Sequence, residues 1–122
     1  MKIPTLSDVL AILENADPDA PVRFSDGLTP VLGIGAMTRP DVPRSLVLDP
    51  TDDRPTLAGD FSDWLDFIEG TPFFDPAGRP QGRVSRSSPL VYDRSGGLVV
   101  ERIIVDDGGC AVTIMAIEKG AL

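Results

Sequence analysis

Four groups of residues have types and spacings that could do chemistry. Asp49, Asp52 and Asp53 place three carboxylates within five positions, a density that suits a hard cation such as calcium. The run lacks the glycine and the distant glutamate of a helix-loop-helix calcium loop and carries Pro50 and Arg54, so no metal is assigned to it. Arg79, Arg83 and Arg86 stand in a Pro- and Gly-rich stretch. They are suited to an anion, to a partner, or to this chain's own carboxylates, and the last is the favoured reading. No aromatics for base stacking intervene between Ala77 and Ser88, which argues against single-strand binding. Asp93, Arg94, Glu101 and Arg102 are charged groups in or beside the C-terminal strands. They are the material for a carboxylate- and arginine-dependent enzyme acting on a phosphate or a sugar, although cross-strand ion pairing is the plainer role. Gly33-Ile34-Gly35 is a fragment of a nucleotide-binding pattern. Without a third glycine and a following helix it is read as structural.

Two absences narrow the chemistry further. The chain has no histidine, which removes Ser–His and Cys–His nucleophile pairs and the side chain most used for proton transfer near neutral pH. It has one cysteine, Cys110, so neither an internal disulfide nor a cysteine zinc cluster is open to it. Set in an apolar run, Cys110 is expected to be a small buried hydrophobe. The expectation is a non-enzyme with no catalytic residue, no metal and no cofactor.

The elements that position these groups are led by a pattern written twice. Leu6-Ser7-Asp8-Val9-Leu10-Ala11-Ile12-Leu13-Glu14-Asn15 and Phe61-Ser62-Asp63-Trp64-Leu65-Asp66-Phe67-Ile68-Glu69-Gly70 share apolar-Ser-Asp-apolar-Leu-x-apolar-apolar-Glu. At 100° per residue each is an amphipathic helix. One puts Leu6, Val9, Leu10, Ile12 and Leu13 on its apolar side, the other Phe61, Trp64, Leu65, Phe67 and Ile68. Thr5 and Asp60, each three residues before an aspartate, are the expected N-caps. Asn15 and Gly70 are the expected C-terminal stops.

Strands are expected at Val22–Ser25, Val31–Thr38, Ser45–Asp49, Pro89–Asp93, Leu98–Asp106 and Cys110–Glu118. Asp107-Gly108-Gly109 is a hairpin turn between apolar runs. The last two runs are nearly continuously apolar, as in strands covered on both faces. Residues 71–88 are expected to be an irregular loop pinned at its start by Phe73 and Phe74. The fold class is α+β: one domain over residues 1–122, with an antiparallel sheet of about six strands and two short helices in the order αβββαβββ.

Charge sets the partner class. The 122 residues carry a net charge of −8. Residues 1–76 hold 14 acidic and 5 basic side chains, and residues 77–122 hold 5 acidic and 6 basic ones, so the negative charge belongs to the N-terminal part. Such a balance disfavours nucleic acid and anionic membranes and suits a basic protein. No run approaches the roughly 18 apolar residues of a membrane span. The opening Met1-Lys2-Ile3-Pro4-Thr5 does not read as a secretion signal, and the expected location is cytoplasmic.

The opening helix followed by Asp17-Pro18-Asp19-Ala20-Pro21-Val22 resembles the start of small, mostly uncharacterised bacterial and phage proteins. These pair a short helix with a Pro-Asp-x-Pro-Val lead-in to a strand. The resemblance covers about the first 25 residues and implies a bacterial or phage setting. Anti-CRISPR inhibitors and toxin-immunity proteins are similar in size and charge alone.

The expected function is therefore that of a small acidic interaction protein, an inhibitor covering a basic catalytic or nucleic-acid-binding surface of a partner. Its acidic face would be Asp49, Asp52, Asp53, Asp60, Asp63, Asp66 and Glu69. Trp64, Phe67 or Phe73 would supply an aromatic anchor, and Arg79, Arg83 and Arg86 a possible partner-binding loop. The alternatives are an assembly module, such as a homodimer or a phage accessory protein, and the enzyme outlined above.

Overall fold

The computed structural model describes residues 3–32, 45–51, 54–75, 77–92 and 98–118. It is an α+β fold with two helices, α1 (Leu6–Leu13) and α2 (Ala58–Ile68). The strands are β1 (Pro21–Phe24), β2 (Thr29–Pro30), β3 (Leu46–Leu48), β4 (Pro50–Thr51), β5 (Thr56–Leu57), β6 (Pro72–Phe74), β7 (Pro80–Arg83), β8 (Leu90–Tyr92), β9 (Leu98–Asp106) and β10 (Ala111–Glu118).

They do not form the expected six-stranded antiparallel sheet. The largest sheet has the order β5-β1-β10-β9, and β2-β4, β3-β8 and β6-β7 form separate pairs. β9 and β10 do make the antiparallel hairpin that Asp107-Gly108-Gly109 signals, with Val112 opposite Val105 and Ile114 opposite Ile103. β1 joins β10 in parallel, and β3 joins β8 in parallel. Both pairings join segments far apart in sequence. Strand periodicity reports which face is apolar and carries no information on such partners.

The expectation of strands covered on both faces moves to different elements. β3 and β8 are the three-residue runs buried at every position. Leu46, Leu48, Leu90 and Tyr92 face the main core, while Val47 and Val91 pack the other way with Ile3 and Ile117. Val100 and Ile103 of β9, on either side of a register shift, and Val112 and Ile114 of β10 enter the main core. That core also takes Leu6, Val9 and Leu13 from α1 and Ala58, Phe61, Leu65 and Ile68 from α2. Phe24 meets Tyr92 edge to face at 4.6 Å, and the Tyr92 hydroxyl donates to Asp26 at 2.8 Å, tying β8 to the turn after β1.

Residues 71–88 are more regular than expected. β6 and β7 pair as a hairpin whose turn is built on Asp75. Asp75 Oδ1 accepts the Ala77 and Arg79 backbone N–H groups at 3.0 and 2.9 Å. Its Oδ2 accepts Arg79 Nε at 3.2 Å and Gln81 Nε2 at 3.1 Å. Those bonds, the Arg79 backbone N–H first among them, hold the Asp75 carboxyl below its ordinary pKa of 3.8. A composition rich in proline and glycine thus specifies a turn here, because a single carboxylate gathers its donors. Phe73 and Val84 anchor the hairpin in the core.

Cys110 corrects a second expectation. It follows the 3-10 turn Asp107–Gly109, just before β10, and is exposed. Gly109, at φ 101°, lies against the turn after α1, where a Cβ would stand 2.9 Å from the Asn15 carbonyl oxygen. Its own carbonyl accepts the Asp17 N–H at 2.8 Å. The expected strand Val31–Thr38 lies outside the described residues from Gly33 onward, as do Gly33-Ile34-Gly35 themselves. Val31 and Leu32 are described and are not in a strand. Among the described residues no helix is long and apolar enough to cross a membrane.

Candidate interaction surface

α2 begins three residues before the shared pattern and is positioned by backbone. Its N-cap is Leu57, with no side-chain capping bond, not Asp60, which lies in the first turn. The first two N–H groups are held instead by the preceding loop: Ala58 donates to the Ala20 carbonyl at 2.8 Å and Gly59 to the Pro18 carbonyl at 2.9 Å. Gly59 suits that approach, because a Cβ there would lie 3.2 Å from Pro18 Cβ and from its oxygen. Asp60 then sits where the positive end of the helix dipole favours a carboxylate.

This start fixes which face is buried. Ala58, Phe61, Leu65 and Ile68 follow 3-4-3 spacing and enter the core, and successive steps of 100° turn Phe67 outward with Asp60 and Asp63. Phe67 is 79% exposed, a correction to its expected place on the apolar side. Trp64 is half-buried, packed on the core and edge-on to Phe61 at 6.4 Å, and Phe73 is fully buried. Of the three candidate anchors, Phe67 alone is presented to solvent.

The acidic face is smaller than expected. Arg86 reaches Glu69 at 3.3 Å and Asp66 at 3.9 Å, so the chain's own arginine meets the carboxylates at the end of α2. Arg83 donates to the Gly70 carbonyl at 2.8 Å, and Arg79 is committed to Asp75. The arginine stretch therefore meets α2 and its own hairpin, Arg79 and Arg86 through carboxylates, as expected, and Arg83 through a backbone carbonyl. Asp52 and Asp53 lie outside the described residues. Asp49 is exposed between β3 and β4, and Asp60 and Asp63 are exposed on α2. Among the described residues no ion pair involves these three. What remains is a short acidic face on the N-terminal part of α2, with Phe67 one turn beyond Asp63.

Two concave features border it. A cleft of about 500 Å³ lies between the β2–β4 pair and the start of α2, lined by Pro30, Thr51, Arg54, Thr56 and Asp60 among others. Threonines pin its walls: Thr29 Oγ1 donates to the Arg54 carbonyl at 3.0 Å and Thr56 Oγ1 to the Pro30 carbonyl at 2.7 Å. A groove of about 390 Å³ runs between the end of α1 and the start of α2, with Glu14 and Asp63 among its lining residues. Glu14 was not legible as a site residue. Its neighbourhood depends on how two helices whose starts, Leu6 and Ala58, are 52 residues apart approach each other, for which the sequence carries no signal.

Four residues are candidates for carboxylate–arginine catalysis. Asp93 and Arg94 lie outside the described residues, and Glu101 and Arg102 are successive residues of β9. Among the described residues no group of three or more metal-ligating side chains is assembled. The chain matches no protein-family model, no curated protein and no solved structure.

Proposed function

We propose that this is a protein-interaction module that docks through the exposed face of α2 onto a basic surface of another protein. The observation that carries the reading is Phe67, 79% exposed on a packed helix, beside Asp60 and Asp63. An aromatic ring in water forgoes the burial that its neighbours on the same helix obtain. Aromatic anchors surrounded by charge are a common arrangement at protein interfaces. The surplus acid gives the face a sign, so a cationic partner is attracted at long range and the association is weakened by salt. Covering a catalytic or nucleic-acid-binding surface in this way would make the protein an inhibitor, in the manner of anti-CRISPR or toxin-immunity proteins. A bacterial or phage setting and a cytoplasmic location belong to the same proposal.

The test is affinity capture from the cells that encode the protein, using the wild-type chain beside Phe67→Ala and the double reversal Asp60→Lys/Asp63→Lys. The expected result is a basic protein retained by the wild type, eluted by raised salt and lost by both variants. Retention unaffected by either variant removes the proposal.

One observation favours a second reading, assembly by strand pairing. β9 is a nine-residue strand at the end of the largest sheet, and a long terminal strand is a template for another chain. Light scattering over a wide concentration range separates the two readings, since self-pairing raises the apparent mass with concentration.

A further inference from the structure

Resting on the interaction reading above, we propose that the groove between α1 and α2 receives an arginine side chain of the partner protein. The groove holds about 390 Å³, and its walls divide by chemistry. Leu13, Ala16, Pro18 and Ala58 give it an apolar lining, Glu14 and Asp63 supply carboxylates, and among the described residues no lysine or arginine lines it. A guanidinium on a methylene stem matches both parts: the stem lies along apolar surface while the planar head takes the carboxylates. The ends of the two helices agree with that sign. The groove opens at the C-terminal end of α1, where the helix dipole is negative, and the last turn of α1 carries no basic residue. The positive end of α2 also reaches it. However, the Ala58 and Gly59 N–H groups there are already bonded to the Ala20 and Pro18 carbonyls.

The contrast with the other end of α2 is informative. There the chain supplies its own cations, Arg83 on the Gly70 carbonyl and Arg86 on Glu69. At the end of α1 no such cation is supplied among the described residues, where Glu14 and Asp63 have no ion-pair partner. Phe67 follows Asp63 by four residues, one turn along α2, so an arginine seated in the groove and an apolar contact on Phe67 are reachable by one continuous partner surface.

The experiment titrates the intact, isotope-labelled protein with N-acetyl-arginine amide and follows the backbone amide signals by NMR. N-acetyl-citrulline amide, which keeps the shape without the charge, and N-acetyl-lysine amide are run beside it. The expected result is saturable shifts at Leu13, Glu14, Ala16, Gly59, Ser62 and Asp63 with the arginine probe, weaker ones with lysine and none with citrulline. The double substitution Glu14→Gln/Asp63→Asn should weaken the apparent affinity about fivefold, the scale of two exposed charge contacts, with the rest of the spectrum unchanged. Shifts spread over all exposed carboxylates, an equal response to citrulline or an equal response to lysine would overturn the assignment. Failure here separates cleanly from failure of the docking reading. A silent groove with capture still lost in Phe67→Ala removes the arginine and keeps the face. A responsive groove with capture intact in Phe67→Ala keeps the cation site and removes the face.

Discussion

α1 and α2 share ten positions of pattern and use them differently. In both, the first two N–H groups are bound by carbonyls of a packed loop, Ser88 and Arg86 for α1, Ala20 and Pro18 for α2. They diverge at the third. In α1 Thr5 Oγ1 accepts the Asp8 N–H at 3.3 Å, while Asp8 Oδ2 accepts the Thr5 N–H at 3.0 Å, a reciprocal capping box. In α2 the matching aspartate, Asp63, is the sixth helical residue, because the helix starts at Ala58, and it caps nothing. The buried sets shift accordingly, from Leu6, Val9 and Leu13 in α1 to Phe61, Leu65 and Ile68 in the aligned part of α2. Equivalent letters at Ile12 and Phe67 therefore end in different places, the first packed against the core and the second in water. Which of its apolar positions a helix buries is decided by what it packs against as well as by its own pattern.

The position where the two helices agree should show the largest effect. Leu6 and Phe61 are both fully buried. Phe61→Ala is expected to cost about 3–5 kcal/mol and Leu6→Ala about 2–5 kcal/mol in chemical denaturation. A loss under about 1 kcal/mol at either would mean that the helix does not sit on the core as described.

Next comes the position where they disagree. Thr5→Ala removes one half of the capping box and should cost about 1 kcal/mol. Asp63→Ala, the counterpart of Asp8 by pattern, is exposed and should change stability by less than about 0.5 kcal/mol. Equal costs would mean that the box contributes no more to α1 than an exposed side chain does to α2. The comparison also shows what was legible in the residues. Thr5 with Asp8 was readable as a cap because a box is local, and the Asp107–Gly109 hairpin for the same reason. Asp60 was misread as a cap because Ala20 and Pro18, distant in sequence, supply the acceptors. The parallel partners of β1 and β3 were hidden likewise. Cys110 followed its apolar neighbours on paper but falls at the hairpin's turn, where a side chain escapes the sheet. At the site, the pairing of Arg79 and Arg86 with the chain's own acids was legible from charge, while the turn of Arg83 to a backbone carbonyl and the exposure of Phe67 were not.

Acid tests the segment that closes the end of α2 and has no counterpart at the end of α1. The Asp75 carboxyl is held below its ordinary 3.8 by the donors of its turn. A depressed folded-state pKa means that the stabilisation is fully present above the ordinary value and is lost as pH falls through the lower folded one. Amide exchange in the β6–β7 hairpin should therefore accelerate in that acid window before exchange in β9–β10 does, and Asp75→Asn should bring the acceleration to neutral pH. Simultaneous loss across both hairpins would show that the turn is not a separate unit.

The smallest expected change in stability is the most telling for function. Phe67→Ala removes a ring that contributes little burial, so the denaturation midpoint should stay within about 0.5 kcal/mol of wild type; alanine's higher helix propensity offsets part of any lost contact. Its counterpart Ile12→Ala removes a side chain packed on the core and should cost clearly more. If Phe67→Ala instead destabilised the chain as much as Ile12→Ala, the ring would be serving this protein's own fold, and its exposure could no longer be read as an invitation to a partner. If stability holds while the captured protein is lost, the ring's burial is completed only in the complex. The pattern that α1 spends on folding, α2 would then spend partly on recognition.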